Sequence, residues 1–274
     1  MAMATLNFES QYLNGNTTVS IILPDKTRDV TPDAFYGSGA KYPVLWLLHG
    51  TFGDHSDWVR KSMVELYARE QDLVVVMPSA LNSDYSNWDD CMMGYGMFDY
   101  LTQELMPLIY NWFPVSDRRE DNFIAGLSMG GGGTLKYALS HPERFAAAAV
   151  LSSSARNYER MLDNPEAAQD TRLANRLRNY GGKENFLASN ENTWRMLGEM
   201  VNRVDLPRIY CACGTKDFGY ERFLEFRAYA QKLGADITFE EIEGYAHEWR
   251  FWDLTIQKAL KFFGLDKQAS DSLF

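Results

Sequence analysis

Cysteine, basic charge and long apolar runs are all scarce in this chain, and each scarcity removes a class of explanation. Three cysteines, Cys91, Cys211 and Cys213, in 274 residues cannot build a disulfide framework. No CxxC pair or His/Cys cluster is present to hold zinc, so no metal is expected. Cys211 and Cys213 are two apart in an apolar run, so on a strand they share a face and are poorly placed to bond each other. All three read as buried free thiols. Lys plus Arg number 27 against 37 for Asp plus Glu, a net charge of −10. A chain without a basic excess lacks the means to displace counterions from phosphates, which argues against nucleic acid and an anionic membrane as partners. No apolar run approaches the roughly 18 residues of a membrane helix. The opening MAMATLNFES lacks a basic region followed by an apolar one. A cytoplasmic location is the expectation, with secretion left open should a signal peptide have been removed.

What is present is ample: 46% hydrophobic residues, 14% aromatic and 23% charged, enough to bury a full core without covalent staples. Short apolar runs at 17–23, 44–48, 73–77, 122–125, 147–151, 208–213 and 236–240 read as strands, several of them apolar enough to be buried on both faces. Between them, three-and-four spacing predicts helices over 98–112, 130–140, 220–233 and 248–262. Such alternation implies an α/β fold with a mostly parallel central sheet flanked by helices. Ligands of such sheets sit beyond the carboxyl ends of the strands. Residues 152–206 interrupt the rhythm between two late strands. We read them as a helical insertion in a single domain spanning 1–274, draped over the carboxyl ends, where a partial lid and a surface decoration or oligomer contact are both open readings.

Gly126-Leu-Ser-Met-Gly130 fits the G-x-S-x-G nucleophile elbow, a tight strand-to-helix turn that presents the serine. Chance alone yields about 0.1 such matches in a chain of this composition, so the context is what gives it weight: a strand before and a helix after. A serine hydroxyl needs a base, and the chain has four histidines. In the α/β-hydrolase order of nucleophile, acid, base, the base follows Ser128. His141 lies at the far end of the elbow helix, about 20 Å away at 1.5 Å per residue. His247, after the last strand, is the base. The acid must also emerge at the carboxyl edge to orient the imidazole. Asp217, four residues beyond the 208–213 strand, meets that requirement, with Glu243 as runner-up. The oxyanion hole needs two backbone N–H groups. Met129, which follows the nucleophile, supplies one; the loop His49-Gly-Thr-Phe-Gly53 supplies the other, through Thr51 first and Phe52 second. His49 itself is assigned to local hydrogen bonding. Tyr85, Trp88, Tyr95 and Phe98 lie at the same edge, where an aromatic substrate pocket and ordinary packing are both open readings; Tyr85 and Trp88 are the candidates for substrate contact. Trp58, Trp249 and Trp252 read as core residues bracing the loops.

Gly126-Leu-Ser-Met-Gly-Gly131, His49-Gly50, Cys213-Gly-Thr-Lys-Asp217 and Gly244-Tyr-Ala-His-Glu-Trp249 with Phe251-Trp-Asp253 resemble the esterase D-like putative esterase family, and its tributyrin-esterase branch most closely. Ser83-Asp-Tyr-Ser-Asn-Trp-Asp89 and the Glu104-Leu105 helix are similar too, so the resemblance runs from about residue 40 to 264. It implies an α/β-hydrolase fold, no cofactor and hydrolysis of short acyl esters, in a group that includes S-formylglutathione hydrolases, acetylxylan and feruloyl esterases, and mycolyltransferases. Thr51-Phe-Gly-Asp54 and Gly130-Gly-Gly-Gly133 stand where the glutathione branch usually carries a cysteine and a histidine, which counts against that activity. The expected function is a serine carboxylesterase acting on a small ester or acylated sugar through an acyl-enzyme. The alternative is a feruloyl or acetylxylan esterase of plant cell walls. A catalytically dead binding module is disfavoured because every triad position is filled. An acyltransferase would use the same residues. Homo-oligomerisation is open at this level.

Overall fold

The computed structural model describes residues 1–90, 93–164 and 170–265; Cys91, read above as a buried thiol, lies outside them. Ten strands are present among these residues: β1 (Ala2–Ser10), β2 (Gly15–Leu23), β3 (Val44–Leu48), β4 (Val74–Pro78), β5 (Asn87–Trp88), β6 (Tyr95–Gly96), β7 (Asn122–Leu127), β8 (Ala147–Leu151), β9 (Arg208–Gly214) and β10 (Ile237–Ile242). Eight of them form one sheet in the order β1-β2-β4-β3-β7-β8-β9-β10, while β5 and β6 make a separate ribbon. β1 pairs antiparallel with β2, and β2 antiparallel with β4; every other pairing in the large sheet is parallel. The chain thus has the α/β-hydrolase fold.

The continuous apolar runs have a simple cause. Successive side chains of a strand point to opposite faces, and both faces of this sheet are covered. In β3, Val44, Trp46 and Leu48 enter one core while Leu45 and Leu47 enter the other. The helices Met129–Ser140 and Tyr220–Leu233 contribute to the first core, and Val64–Glu70 and Trp249–Phe263 to the second. Cys211 and Cys213 are both buried free thiols on the first face.

Two expectations change. β1 was not anticipated. The helix expected over 98–112 is wound in three pieces, with a π-helical stretch at Tyr100–Leu105 between Met97–Asp99 and Met106–Trp112. A wide π turn takes up an extra residue. The buried face becomes Leu101, Leu105, Met106 and Ile109, and Trp112 at the helix end is 66% exposed.

Residues between β8 and β9 form the helices Tyr158–Leu162, Thr171–Asn179, Lys183–Ala188 and Thr193–Met200. They carry a small core of their own, Tyr158, Leu173 and Phe186. Among the described residues no helix is long and apolar enough to cross a membrane.

Candidate active site

β7 lies at the middle of the sheet between β3 and β8, so its carboxyl end is surrounded by loops. Ser128 follows it directly. The Ser128 amide donates to the Leu151 carbonyl at 2.8 Å, and the residue sits at φ 53°, ψ −114°. A non-glycine residue at positive φ is strained, and the turn is tight enough to dictate its neighbours. A Cβ on Gly126 would stand 2.4 Å from the Gly130 carbonyl oxygen, and one on Gly130 would stand 2.5 Å from that of Leu48. Backbone cannot yield at such distances, so the two glycines of the motif are required by the close approach of β7, β3 and the elbow helix.

His247 lies beyond β10 and Asp217 beyond β9, both at this edge. His247 Nε2 is 2.9 Å from Ser128 Oγ, and His247 Nδ1 is 2.8 Å from Asp217 Oδ2. The Asp217 carboxylate is fully enclosed while the imidazole is 20% exposed. Burial would raise the Asp217 pKa. The hydrogen bond from His247, the Gly219 amide at 2.7 Å and the Ser152 hydroxyl together hold it below its ordinary 3.8. Asp217 therefore stays ionised and fixes His247 with a proton on Nδ1 and a lone pair on Nε2 toward the serine.

Three further residues, Trp252, Ser152 and Phe218, have site contacts that the sequence reading does not give them. Trp252 Nε1 donates to Ser152 Oγ at 3.0 Å, so an indole N–H orients the hydroxyl that serves Asp217. The Trp252 ring also stands edge-on to His247 with centroids 5.0 Å apart, and the 74% exposed Phe218 ring lies 4.5 Å away on the imidazole. The imidazole thus touches two aromatic rings. Glu243, the alternative acid, is exposed.

Around Ser128 is a cavity of about 230 Å³ lined by Thr51, Met129 and His247 among others. The Phe52 amide is engaged by Asn82 Oδ1 at 2.8 Å, which leaves Thr51 as the residue of its loop on the cavity wall. His49 is 1% exposed and makes local bonds, with Nδ1 2.7 Å from the Gly50 carbonyl and Nε2 accepting from the Ala80 amide at 2.9 Å. Burial lowers its pKa, so this is a neutral imidazole that fixes the loop.

Tyr85 and Trp88 do not line this cavity, and their candidate role as substrate contacts is corrected. Tyr85 is wholly buried, donates its hydroxyl to the His49 carbonyl at 3.0 Å and lies against Gly133, where a Cβ would meet its ring at 2.6 Å. Trp88 turns its indole N–H to the Ser83 carbonyl at 2.7 Å. The aromatic cluster is packing: Phe98 stacks on Tyr137 with centroids 4.8 Å apart, and Tyr95 belongs to the core.

The insertion supplies the opposite wall, through Arg156, Tyr158, Arg172, Arg176, Glu191 and Thr193. It is tied down by a buried charge cluster. Glu191 accepts from Lys136 Nζ and Ser86 Oγ, each at 2.5 Å, from Tyr180 at 3.0 Å and from Arg176. Burial opposes ionisation of Glu191, but the Lys136 and Arg176 charges outweigh it and drive the pKa far below 4.5. Lys136 lies on the elbow helix, so this ion cluster fastens insertion and elbow together. Among the described residues no group of three or more His, Cys, Asp or Glu could hold a metal ion.

Comparison with known proteins places these features. The family model described as "Putative esterase" matches residues 10–263. An acetyl esterase of Caldicellulosiruptor saccharolyticus is 29% identical, over 96% of this chain and 98% of its own. Among solved structures, the substrate-bound fluorophosphonate-binding serine hydrolase F of Staphylococcus aureus superposes with a TM-score of 0.79 at 28% identity, over 97% of this chain and 98% of that one. The S-formylglutathione hydrolase apoenzyme of the same organism gives 0.77 at 27%, over 97% and 100%.

Proposed function

The chain belongs to the Putative esterase family of serine hydrolases, and we propose that it hydrolyses short-chain acyl esters through a Ser128-His247-Asp217 triad. The observation that carries this reading is the unbroken pair of hydrogen bonds from Ser128 Oγ through the imidazole to Asp217.

In the proposed cycle His247 Nε2 takes the Ser128 proton as Oγ attacks the ester carbonyl. The backbone N–H groups of Thr51 and Met129 receive the developing oxyanion. The second of these belongs to the first residue of the elbow helix, where amides have no partner in the preceding turn and the helix dipole favours negative charge. His247 passes its proton to the departing alcohol, leaving an acyl-enzyme. Water then enters and the same groups repeat the sequence to release the acid. Asp217 remains ionised throughout and stabilises the imidazolium. The insertion acts as a partial lid, because it forms one wall of the cavity.

Cavity size and lining favour small acyl groups. The volume of about 230 Å³ lies under the roughly 300–1,000 Å³ usual for drug-sized ligands. Its aromatic members are Phe218 and Tyr158, few for the hydroxycinnamoyl ring of the alternative feruloyl substrate. A panel of p-nitrophenyl acetate, butyrate, octanoate and methyl ferulate tests the proposal. The highest kcat/KM is expected for acetate or butyrate; a preference for octanoate or ferulate would contradict it.

A further inference from the structure

The cavity is strongly basic on an acidic molecule. Lys136, Arg156, Arg172, Arg176 and Arg222 line it, against two carboxylates, Asp84 and Glu191, while the whole chain carries −10. Three of the five cations are engaged by the two carboxylates, which leaves one positive charge over. Arg172 clasps Asp84, with Nε to Oδ2 at 2.8 Å, and Lys136 and Arg176 share Glu191. Arg156 and Arg222 have no carboxylate within salt-bridge reach among the described residues, although Asp217 lends Arg222 some attraction from further off.

Both line the cavity that holds Ser128 and His247. The Arg222 guanidinium lies over the Phe218 ring at 5.8 Å, and that ring is 4.5 Å from the His247 imidazole. Its Nη2 comes within 3.8 Å of where a Cβ on Gly219 would stand, and the Gly219 amide is bonded to Asp217. Arg156 comes from the insertion and faces the same space. Burial, and next the like charge of Arg156, lower the pKa of Arg222 from 12.5. Arg156, an exposed residue of the cavity wall, and the half-buried Arg222 repel each other, and a bound anion reverses that cost.

We propose that the natural substrate carries a carboxylate or another compact anionic group a few bonds from the scissile carbonyl, and that Arg156 and Arg222 bind it. The inference rests on the reading of Ser128 as the esterase nucleophile. A guanidinium presents a planar fork of donors that matches an anionic oxygen pair, and charge-assisted hydrogen bonds of this kind are roughly twice as strong as neutral ones. The hydroxyls of Ser153 and Ser154 line the same space and can complete the contacts. The anion belongs either to the acyl chain or to the leaving alcohol, and the test separates them.

Initial rates are compared for two matched pairs: the 4-nitrophenyl monoester of glutaric acid against 4-nitrophenyl pentanoate, and 3-acetoxybenzoate against its methyl ester, each corrected for spontaneous hydrolysis. In one pair the anionic ester should have the higher kcat/KM, on the order of tenfold or more, and 0.5 M NaCl should shrink the ratio. Arg222→Gln and Arg156→Gln should each lower that ratio several-fold, with Arg→Lys restoring part of it. Which pair responds identifies the side of the ester that bears the charge. Ratios at or below one in both pairs, or ratios unmoved by both Gln variants, overturn the inference. If the neutral esters are turned over and Ser128 is labelled by a fluorophosphonate, that failure leaves the esterase reading standing. Absence of labelling and of hydrolysis removes both.

Discussion

Ser128 and His247, 119 residues apart in the chain, are joined by a 2.9 Å contact between Oγ and Nε2. Neither residue is brought there by local structure. Ser128 directly follows the central strand β7, while His247 follows the edge strand β10, and two parallel strands, β8 and β9, separate these two. A parallel sheet returns every strand end to one edge, and its twist and long loops close the remaining gap.

Asp217→Asn tests the third member of the constellation. The amide can present N–H to Nδ1 and so favours the tautomer with its proton on Nε2, facing the serine. The protein should fold normally by circular dichroism, and kcat should fall by about 10⁴. A loss below tenfold would show that His247 is oriented by something other than Asp217.

The Glu191 cluster should govern stability. Removing the negative member leaves Lys136 and Arg176 as buried, unpaired charges. Glu191→Gln should therefore cost on the order of 3–5 kcal/mol in urea unfolding. The pH dependence has a definite sign. Glu191 has a folded-state pKa below the ordinary 4.5, so its contribution is complete above that value and is lost as pH falls toward the lower, folded one. The wild type should lose stability progressively below about pH 4.5, and the Gln variant should show a flatter acid limb. Parallel acid limbs would show that Glu191 is not an important linked group.

How much of this was legible in the sequence depends on the distance over which each signal acts. β3, β4, β7, β8 and all but the first residue of β9 announced themselves by short apolar runs because both faces are buried, whereas β10, at the sheet edge, has no buried residue. β1 carried a usable signal, with Ala4, Leu6 and Phe8 alternating with Thr5, Asn7 and Glu9, and these three apolar residues pack on the core. Asp217 could be singled out because strand direction alone decides which edge a loop occupies. Glu191 could not: its partners Lys136 and Arg176 lie 55 and 15 residues away, and a lone glutamate in a helical stretch ordinarily faces water. Tyr85 and Trp88 were placed at the correct edge but on the wrong side of the chain, since alternation cannot say whether a loop aromatic turns toward a cavity or the core. The Trp252-Ser152-Asp217 chain is likewise a product of tertiary contact, with Trp252 and Ser152 separated by 100 residues.

The insertion, proposed as a partial lid, should set ester preference. Replacing residues 155–203 with a short Gly/Ser linker removes the cavity wall but also Glu191, so Lys136→Met is combined with it to avoid a buried orphan charge. A folded truncation, checked by circular dichroism, should retain fluorophosphonate labelling and accept octanoate relative to acetate several-fold better than the full chain. An unchanged acyl preference in a folded truncation would reject the lid.

The most direct measurement is active-site labelling of wild type and Ser128→Ala with a fluorophosphonate probe, read by intact mass and peptide mapping beside p-nitrophenyl acetate turnover. One adduct is expected on wild type, mapping to the peptide containing Ser128. The folded Ala variant should give none and lose about 10⁴- to 10⁶-fold in kcat. Labelling at another residue, or undiminished turnover in Ser128→Ala, would contradict the account.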